Sequence, residues 1–179
     1  MSRGNRGVVA LLSVLVLAGC APSVVPVALT PVPVPAASEV GQVVAVVDGD
    51  TIDVATDDET VRVRLIGIDT PEIGRGGEAS ECYAEEARTF LDGLLYGQEV
   101  HLVSDDTQVD VDKYGRLLRH VYAGDVDAAE AAITAGAGYE YTYDVPYERQ
   151  GMYRDAERAA AETGAGMWGV CETVATEAP

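Results

Sequence analysis

Hydrophobic and polar positions alternate most clearly between Val61 and Leu65, where Val61, Val63 and Leu65 interleave with Arg62 and Arg64. A period of two places the apolar side chains on one face of a strand and the arginines on the other. Apolar Ile66 and Ile68 continue the run, which predicts a strand over Val61–Ile68, and the polarity then changes at Asp69-Thr70-Pro71-Glu72. Pro71 offers no ladder N–H and biases Thr70 towards extended backbone, so the strand is expected to stop there. Two carboxylates and an arginine then share its rim, a grouping that suits a divalent cation and a phosphate better than a core.

The flanking pattern predicts further short elements. Val43–Val47 is apolar throughout and β-branched except at Ala45, and Thr51–Val54 alternates, with Asp48-Gly49-Asp50 between them. Asp-Gly between two such runs is a hairpin signal. A second turn at Thr56–Glu59 completes a three-stranded meander. A helix is expected over Glu81–Tyr96, where Tyr83, Ala87, Phe90, Leu91, Leu94 and Leu95 fall at helical spacing and Gly97 provides a stop. Gln98–Val103 and Arg116–Tyr122 read as a fourth and fifth strand around a polar loop, Asp105–Tyr114. Val126–Ala135 predicts an Ala-rich helix closed by Gly136 and Gly138. Glu148–Glu162 predicts a last helix, before Trp168 docks near the end. Five strands with one helix after the third and two at the end give an α+β fold, a small closed barrel of the five-stranded OB type with three helices.

Composition divides the chain. Arg3 and Arg6 precede an uncharged apolar run from Val8 to Ala18, shorter than the ~20 residues that span a bilayer but suited to an export signal. Leu17-Ala18-Gly19-Cys20 is similar to a bacterial lipobox, with Cys20 as the lipidation site; an ordinary secretory signal or an uncleaved anchor is the alternative. Residues 21–38 are rich in Pro, Ala and Val without charge, a tether spanning roughly 55 Å if extended. Residues 39–173 form the expected domain and 174–179 a tail. This organisation places the protein outside the cell, held on the outer face of the membrane through the lipid on Cys20.

The 12 basic and 30 acidic residues give a formal charge of −18, and loss of a leader carrying Arg3 and Arg6 makes that −20. Nucleic-acid binding normally needs a basic footprint, so the balance favours a small or cationic partner, or a saline or calcium-rich medium. With Cys20 lipidated, Cys82 and Cys171 remain, and an oxidising compartment favours their pairing over two buried free thiols.

Singly, the polar motifs are ordinary turn or strand chemistry. Asp110-x-Asp112-x-Tyr114-Gly115 imitates an EF-hand loop but has Val121 where a bidentate glutamate belongs. His101 and His120 have no partner at zinc spacing and read as ordinary strand residues. Together, the motifs are specific. Asp48-Gly49-Asp50-Thr51, Arg64-Leu65-Ile66-Gly67-Ile68-Asp69-Thr70-Pro71-Glu72 and Asp112-Lys113-Tyr114-Gly115-Arg116 occur in the order that resembles the staphylococcal nuclease (thermonuclease) family. The likeness continues through Tyr141-Thr142-Tyr143 and Met167-Trp168, and covers about residues 43–171.

The resemblance implies an OB-type barrel that cleaves DNA and RNA phosphodiester bonds with calcium. It implies that Asp50, Asp69 and the Thr70 carbonyl bind Ca2+, with Asp48 behind them. Glu72 would be the general base, and Arg64 and Arg116 would stabilise the five-coordinate transition state. Lys113, Tyr114, Tyr141 and Tyr143 would contact single-stranded or denatured DNA and RNA. Oxygen donors suit a hard cation, guanidiniums suit a developing phosphorane charge, and tyrosines stack on any base. A monomer is expected, and a non-catalytic binding module on the same barrel is the rival reading. The loop Ile73–Ser80 has only Arg75 and adds Glu78, so attraction for phosphate is weaker than a lysine-rich loop would give.

Mass spectrometry of the mature protein should find a chain that begins at a lipid-bearing Cys20; any other start removes the anchor.

Overall fold

Two turns organise the first half of the domain. In this computed structural model, which describes residues 38–171, strand β1 (Glu39–Val46) turns into β2 (Thr51–Ala55) through Asp48-Gly49, with Val47 N–H donating to Thr51 O at 2.9 Å. Thr56 then closes the turn into β3 (Thr60–Leu65) through backbone and hydroxyl hydrogen bonds to Glu59 O, both 2.9 Å. The leader, Cys20, nearly all of the tether and the C-terminal tail lie outside the described residues.

β1 pairs with two strands, with β5 (Glu99–Val103) through its first half and with β2 through its second. A bulge between Val43 and Ala45 lets it bend from one to the other. β5 pairs antiparallel with β6 (Leu117–Ala123), and β6 returns to β3 as a parallel neighbour, Val63 opposite Leu117 and Arg64 opposite Leu118. That last pairing closes the sheet into a five-stranded barrel, β3-β2-β1-β5-β6, with the two-residue β7 (Val126–Asp127) added at the edge of β6. The inward residues of the strands, including Ile52, Val54, Val63, Leu65, Val100, Leu102 and Val121, are buried. Helix α1 (Ala84–Leu95) contributes Ala87, Leu91 and Leu95 to the same core, a spacing of one helical turn.

Several boundaries differ from the pattern in the sequence, and β1 already begins at Glu39 rather than Val43. The third strand stops at Leu65 rather than Ile68. Leu65, Ile66 and Ile68 are all buried, so the period of two is lost, and Gly67 turns the chain at φ 80°. A Cβ there would lie 2.4 Å from the Tyr147 ring, so the turn needs glycine for space as well as for conformation. Ile68–Asp69 becomes a separate short strand, β4, paired with β8 (Tyr139–Glu140). The first helix starts at Ala84, not Glu81, because Tyr83 has a left-handed backbone, φ 74°. Such a conformation costs about 1–2 kcal/mol and persists where its surroundings fix it. Val126 belongs to β7, and helix α2 (Ala128–Thr134) begins after Asp127, whose carboxylate accepts the N–H groups of Ala129 at 3.0 Å and Glu130 at 3.1 Å.

Helix α3 (Gln150–Thr163) and the single turn α4 (Met167–Val170) complete the chain, and Cys171 is joined to Cys82. The disulfide has the expected partners and a Cα separation of 6.0 Å. Closing a loop of 89 residues stabilises by roughly 4–5 kcal/mol in the chain-entropy account.

His120 is not an ordinary strand residue. It is 2% exposed, with Nε2 3.2 Å from Asp105 Oδ2 and Nδ1 3.4 Å from the Tyr153 hydroxyl. Tyr153 in turn donates to Asp127, beside which Arg149 Nε lies 2.5 Å away as an ion pair. This network joins β6 to the helices. Burial pushes the His120 pKa below its usual 6.5 and outweighs the Asp105 hydrogen bond, so the ring is neutral in the fold. The unfolded chain therefore binds the proton more readily, and this contribution to stability falls as pH drops below 6.5. Urea unfolding at pH about 7.5 and about 5.5 should show His120→Asn losing less stability across that step than the wild type.

Candidate active site

The first hairpin turn brings one carboxylate to the barrel's rim. Asp48 Oδ1 accepts the N–H of Asp50 at 3.3 Å and so shapes the turn. Gly49 sits flat against Thr70; a Cβ on it would lie 2.7 Å from Thr70 Oγ1. That close approach lets Thr70 donate to Asp50 Oδ2 at 3.2 Å while Thr51 donates to Asp50 Oδ1 at 2.9 Å. Asp50 is 4% exposed.

The second carboxylate arrives through the turn at Gly67. β4 pairs Asp69 with Tyr139 on β8, and the Tyr139 hydroxyl donates to Asp69 Oδ2 at 2.9 Å. Arg64, on the outer face of β3, lies between the two acids. Its Nη2 is 3.0 Å from Asp50 Oδ2 and 2.6 Å from Asp69 Oδ1, and its Nη1 donates to the carbonyls of Leu65 at 3.0 Å and Ile68 at 2.5 Å. Glu72 follows at the exposed rim, beyond buried Pro71.

Crowded carboxylates resist ionisation. Burial pushes Asp50 up to about 7, with Asp48 and Asp69 adding to the effect and Arg64 opposing it. Glu72 is also raised, first by partial desolvation and then by Asp48 and Asp69. Asp50 Oδ2 and Asp69 Oδ1 converge on the same nitrogen, which is the arrangement two oxygen ligands of one cation require. Among the described residues no three His, Cys, Asp or Glu side chains gather as a metal-holding group. Two carboxylates and a backbone carbonyl nevertheless fit a hard cation that keeps part of its water. Asp50, Asp69 and the Thr70 carbonyl are therefore the residues that would hold it.

The third motif forms a neighbouring arm rather than part of this cluster. Asp112 Oδ1 accepts the N–H groups of Tyr114 and Arg116, both at 2.9 Å, and its Oδ2 accepts Arg116 Nε at 2.7 Å, around a turn at Gly115 with φ 84°. Burial alone would raise the Asp112 pKa, but the donors from Arg116 and Tyr114 hold it below the usual carboxylate range. Arg116 thus bonds Asp112, not Asp50 or Asp69. It stands one residue before β6, in which Leu118 is the parallel partner of Arg64.

The Lys113 ammonium lies 5.0 Å and the Arg116 guanidinium 5.4 Å from the centre of the Tyr114 ring, which is exposed. Lys113 is held above its ordinary pKa by the Tyr114 hydroxyl first, and also by Tyr143. Tyr141 and Tyr143 have ring centres 6.4 Å apart, and the Tyr141 N–H donates to Gly67 O at 3.1 Å. The expected contact residues therefore meet in one open patch beside the acidic rim.

Pattern alone did not single out Tyr139, Asp112 or Glu81, whose Oε2 accepts the Glu72 N–H at 2.8 Å. Each had a weak signal at most: Tyr139 opens a tyrosine-rich segment and Asp112 stands in the third motif, but each partner comes from pairing or turn geometry.

A family profile described as "Staphylococcal nuclease homologue" matches residues 62–170. The chain is 35% identical over 139 residues to a micrococcal nuclease of Shigella flexneri, covering 72% of each. It is 32% identical over 127 residues to a thermonuclease of Staphylococcus hyicus, covering 71% of this chain and 74% of the other. It is also 30% identical over 148 residues to an uncharacterized protein of Methanocaldococcus jannaschii, covering 72% of this chain and 70% of the other.

Gly49→Ala should destabilise by about 1–3 kcal/mol, because Thr70 leaves no room for a methyl group. Gly93→Ala, in α1 with nothing within 4 Å of the new Cβ, should stabilise by roughly 0.5–1 kcal/mol. Thermal unfolding of the two variants checks both signs.

Proposed function

The chain belongs to the staphylococcal nuclease family and is a phosphodiester-hydrolysing nuclease, and from that premise we propose a calcium-dependent endonuclease acting on single-stranded or denatured DNA and RNA. The observation that carries this reading is the shared hold of Asp50 and Asp69 on Arg64, with Glu72 next along the chain.

Glu72 is the general base. Its raised pKa favours accepting a proton, and its exposed position at the rim leaves it open to water. The water oxygen attacks phosphorus as one of its protons passes to the Glu72 carboxylate. The P–O ester bond opposite the attacking oxygen breaks, the leaving oxygen taking up a proton from solvent to become the product hydroxyl. Calcium, when bound, neutralises phosphate charge. Arg64 and Arg116 supply guanidinium donors where charge develops on the phosphorane-like oxygens. For both this requires an exchange of partner, Arg116 from Asp112 and Arg64 from Asp50 and Asp69, to phosphate. Lys113 and Tyr114 take a neighbouring phosphate and base, and Tyr141 and Tyr143 offer rings for unpaired bases.

Charge explains why metal matters more here than in a basic protein. Arg64, Arg116 and Lys113 face Asp48, Asp50, Asp69, Glu72 and Asp112, two negative charges in excess, which a divalent ion cancels. Over ~8 Å in physiological salt, that local balance governs the approach of a phosphate. The apolar run Val8–Ala18 and the lipobox-like Leu17-Ala18-Gly19-Cys20 support a position on the outer face of the membrane.

Nicking of denatured DNA by the full chain should occur with calcium and stop in chelator, and oligonucleotide affinity should fall with the metal removed. Glu72→Gln should lower kcat by about 10²–10⁴-fold with binding retained. Metal-independent cleavage, or activity insensitive to Glu72→Gln, would refute the reading.

A further inference from the structure

The chain leaves the barrel at Glu72 and returns to the same place at Glu81. The Glu72 N–H donates to Glu81 Oε2 at 2.8 Å, and the Glu81 N–H donates to Glu72 O at 2.9 Å. The loop between them is closed by its own contacts. Glu78 N–H donates to Arg75 O and Gly74 N–H to Ser80 Oγ, both at 3.2 Å, and a Cβ on Gly74 would lie 2.2 Å from Glu78 O. These bonds fix the loop's shape, and the loop is otherwise tied to the fold only loosely, by an ion pair of exposed Arg75 with Asp48 at 3.7 Å and an exposed Ser80–Glu85 hydrogen bond at 3.4 Å.

Attachment comes at the next residue. Cys82 is exposed and covalently joined to Cys171 at the end of α4. That turn is itself fixed, since Met167 is 1% exposed and its N–H donates to Gly136 O at 2.9 Å. Tyr83 then carries the left-handed backbone that starts α1. Glu81 thus stands between its paired hydrogen bonds to Glu72 and a covalent anchor to the C-terminal turn. Glu81 offers no contact of its own to the Asp50–Asp69–Arg64 cluster, so its link to the chemistry runs through Glu72.

We propose that Glu81, anchored by the Cys82–Cys171 disulfide, is the positioning residue that holds Glu72 in its catalytic place. This rests on the assignment of Glu72 as the general base. A base displaced by about 1 Å can lose up to 10²-fold in rate while substrate binding, made elsewhere, is retained. The disulfide contributes to turnover on this account, beyond its contribution to stability.

The test measures kcat and KM on denatured DNA with calcium, using the full chain well below its unfolding temperature. Glu81→Ala should lower kcat about tenfold or more with KM within about twofold. Glu81→Gln keeps an acceptor oxygen for the Glu72 N–H and should recover most of that loss. The double variant Cys82→Ser with Cys171→Ser should also lower kcat. Adding Glu81→Ala to it should cost less than the product of the separate effects, as expected for groups acting through one contact. Wild-type kcat in Glu81→Ala, Glu81→Gln no better than Glu81→Ala, or full multiplicativity would each overturn the proposal, provided Glu72→Gln is inactive. A fully active Glu72→Gln would instead remove the base assignment on which the proposal stands, so the two failures are distinct.

Discussion

One guanidinium nitrogen, Arg64 Nη2, is shared by a carboxylate from the first hairpin turn and another from the short β4–β8 ladder. Arg64 itself stands on the strand that closes the barrel against β6. Three chain segments are therefore fastened at a point where the backbone alone would leave a gap. Asp50 resists carrying its charge there: it is buried, and burial raises its pKa to about 7 even with Arg64 opposing. Stranding such a charge typically costs about 3–5 kcal/mol, and a carboxylate with this pKa would take up a proton instead. The two carboxylates hold one cation between them, the Arg64 guanidinium.

Around that point the supporting residues are neutral or backbone groups. Thr51, Thr70 and Tyr139 give hydroxyl donors to the carboxylates, and Gly49 and Gly67 give space. The second arginine is organised differently, by Asp112 within its own loop. The two arms share the parallel β3–β6 pairing, so the barrel's closure sets their separation. That explains why a small closed sheet serves the chemistry: the pairing that removes its open edges also brings the strand that follows Arg116 alongside the strand of Arg64.

The acidity of the chain, −18 overall, at first opposes a polyanionic substrate. The structure keeps much of that charge in pairs. Asp53 is joined to Arg62, Asp110 to Arg119, Asp127 and Glu130 to Arg149, and Glu140 to Arg154. At the rim the unbalanced charge is small, and the exposed Lys113–Tyr114–Tyr143 patch faces solvent beside it. Attraction for nucleic acid is thus a local property of the rim, while the remaining surface charge favours solubility.

Much of this was legible in the residues themselves. Alternation from Val61 to Leu65, the Asp-Gly turn and the helical spacing of Ala87, Leu91 and Leu95 determined the meander and first helix, because side-chain period follows directly from backbone geometry. The ordered motifs determined the family, and the cysteine count, read with an expected export signal, pointed to the disulfide partners. Period could not show that the strand breaks at Gly67, since Ile66 and Ile68 are apolar in either arrangement. Nor could it show that His120 is buried among Asp105, Tyr153 and Asp127, that Arg116 is held by Asp112, or that Glu81 returns to Glu72. Those contacts join residues from distant segments or across a loop, and only the closed barrel and its packed helices bring their polar atoms within hydrogen-bonding range.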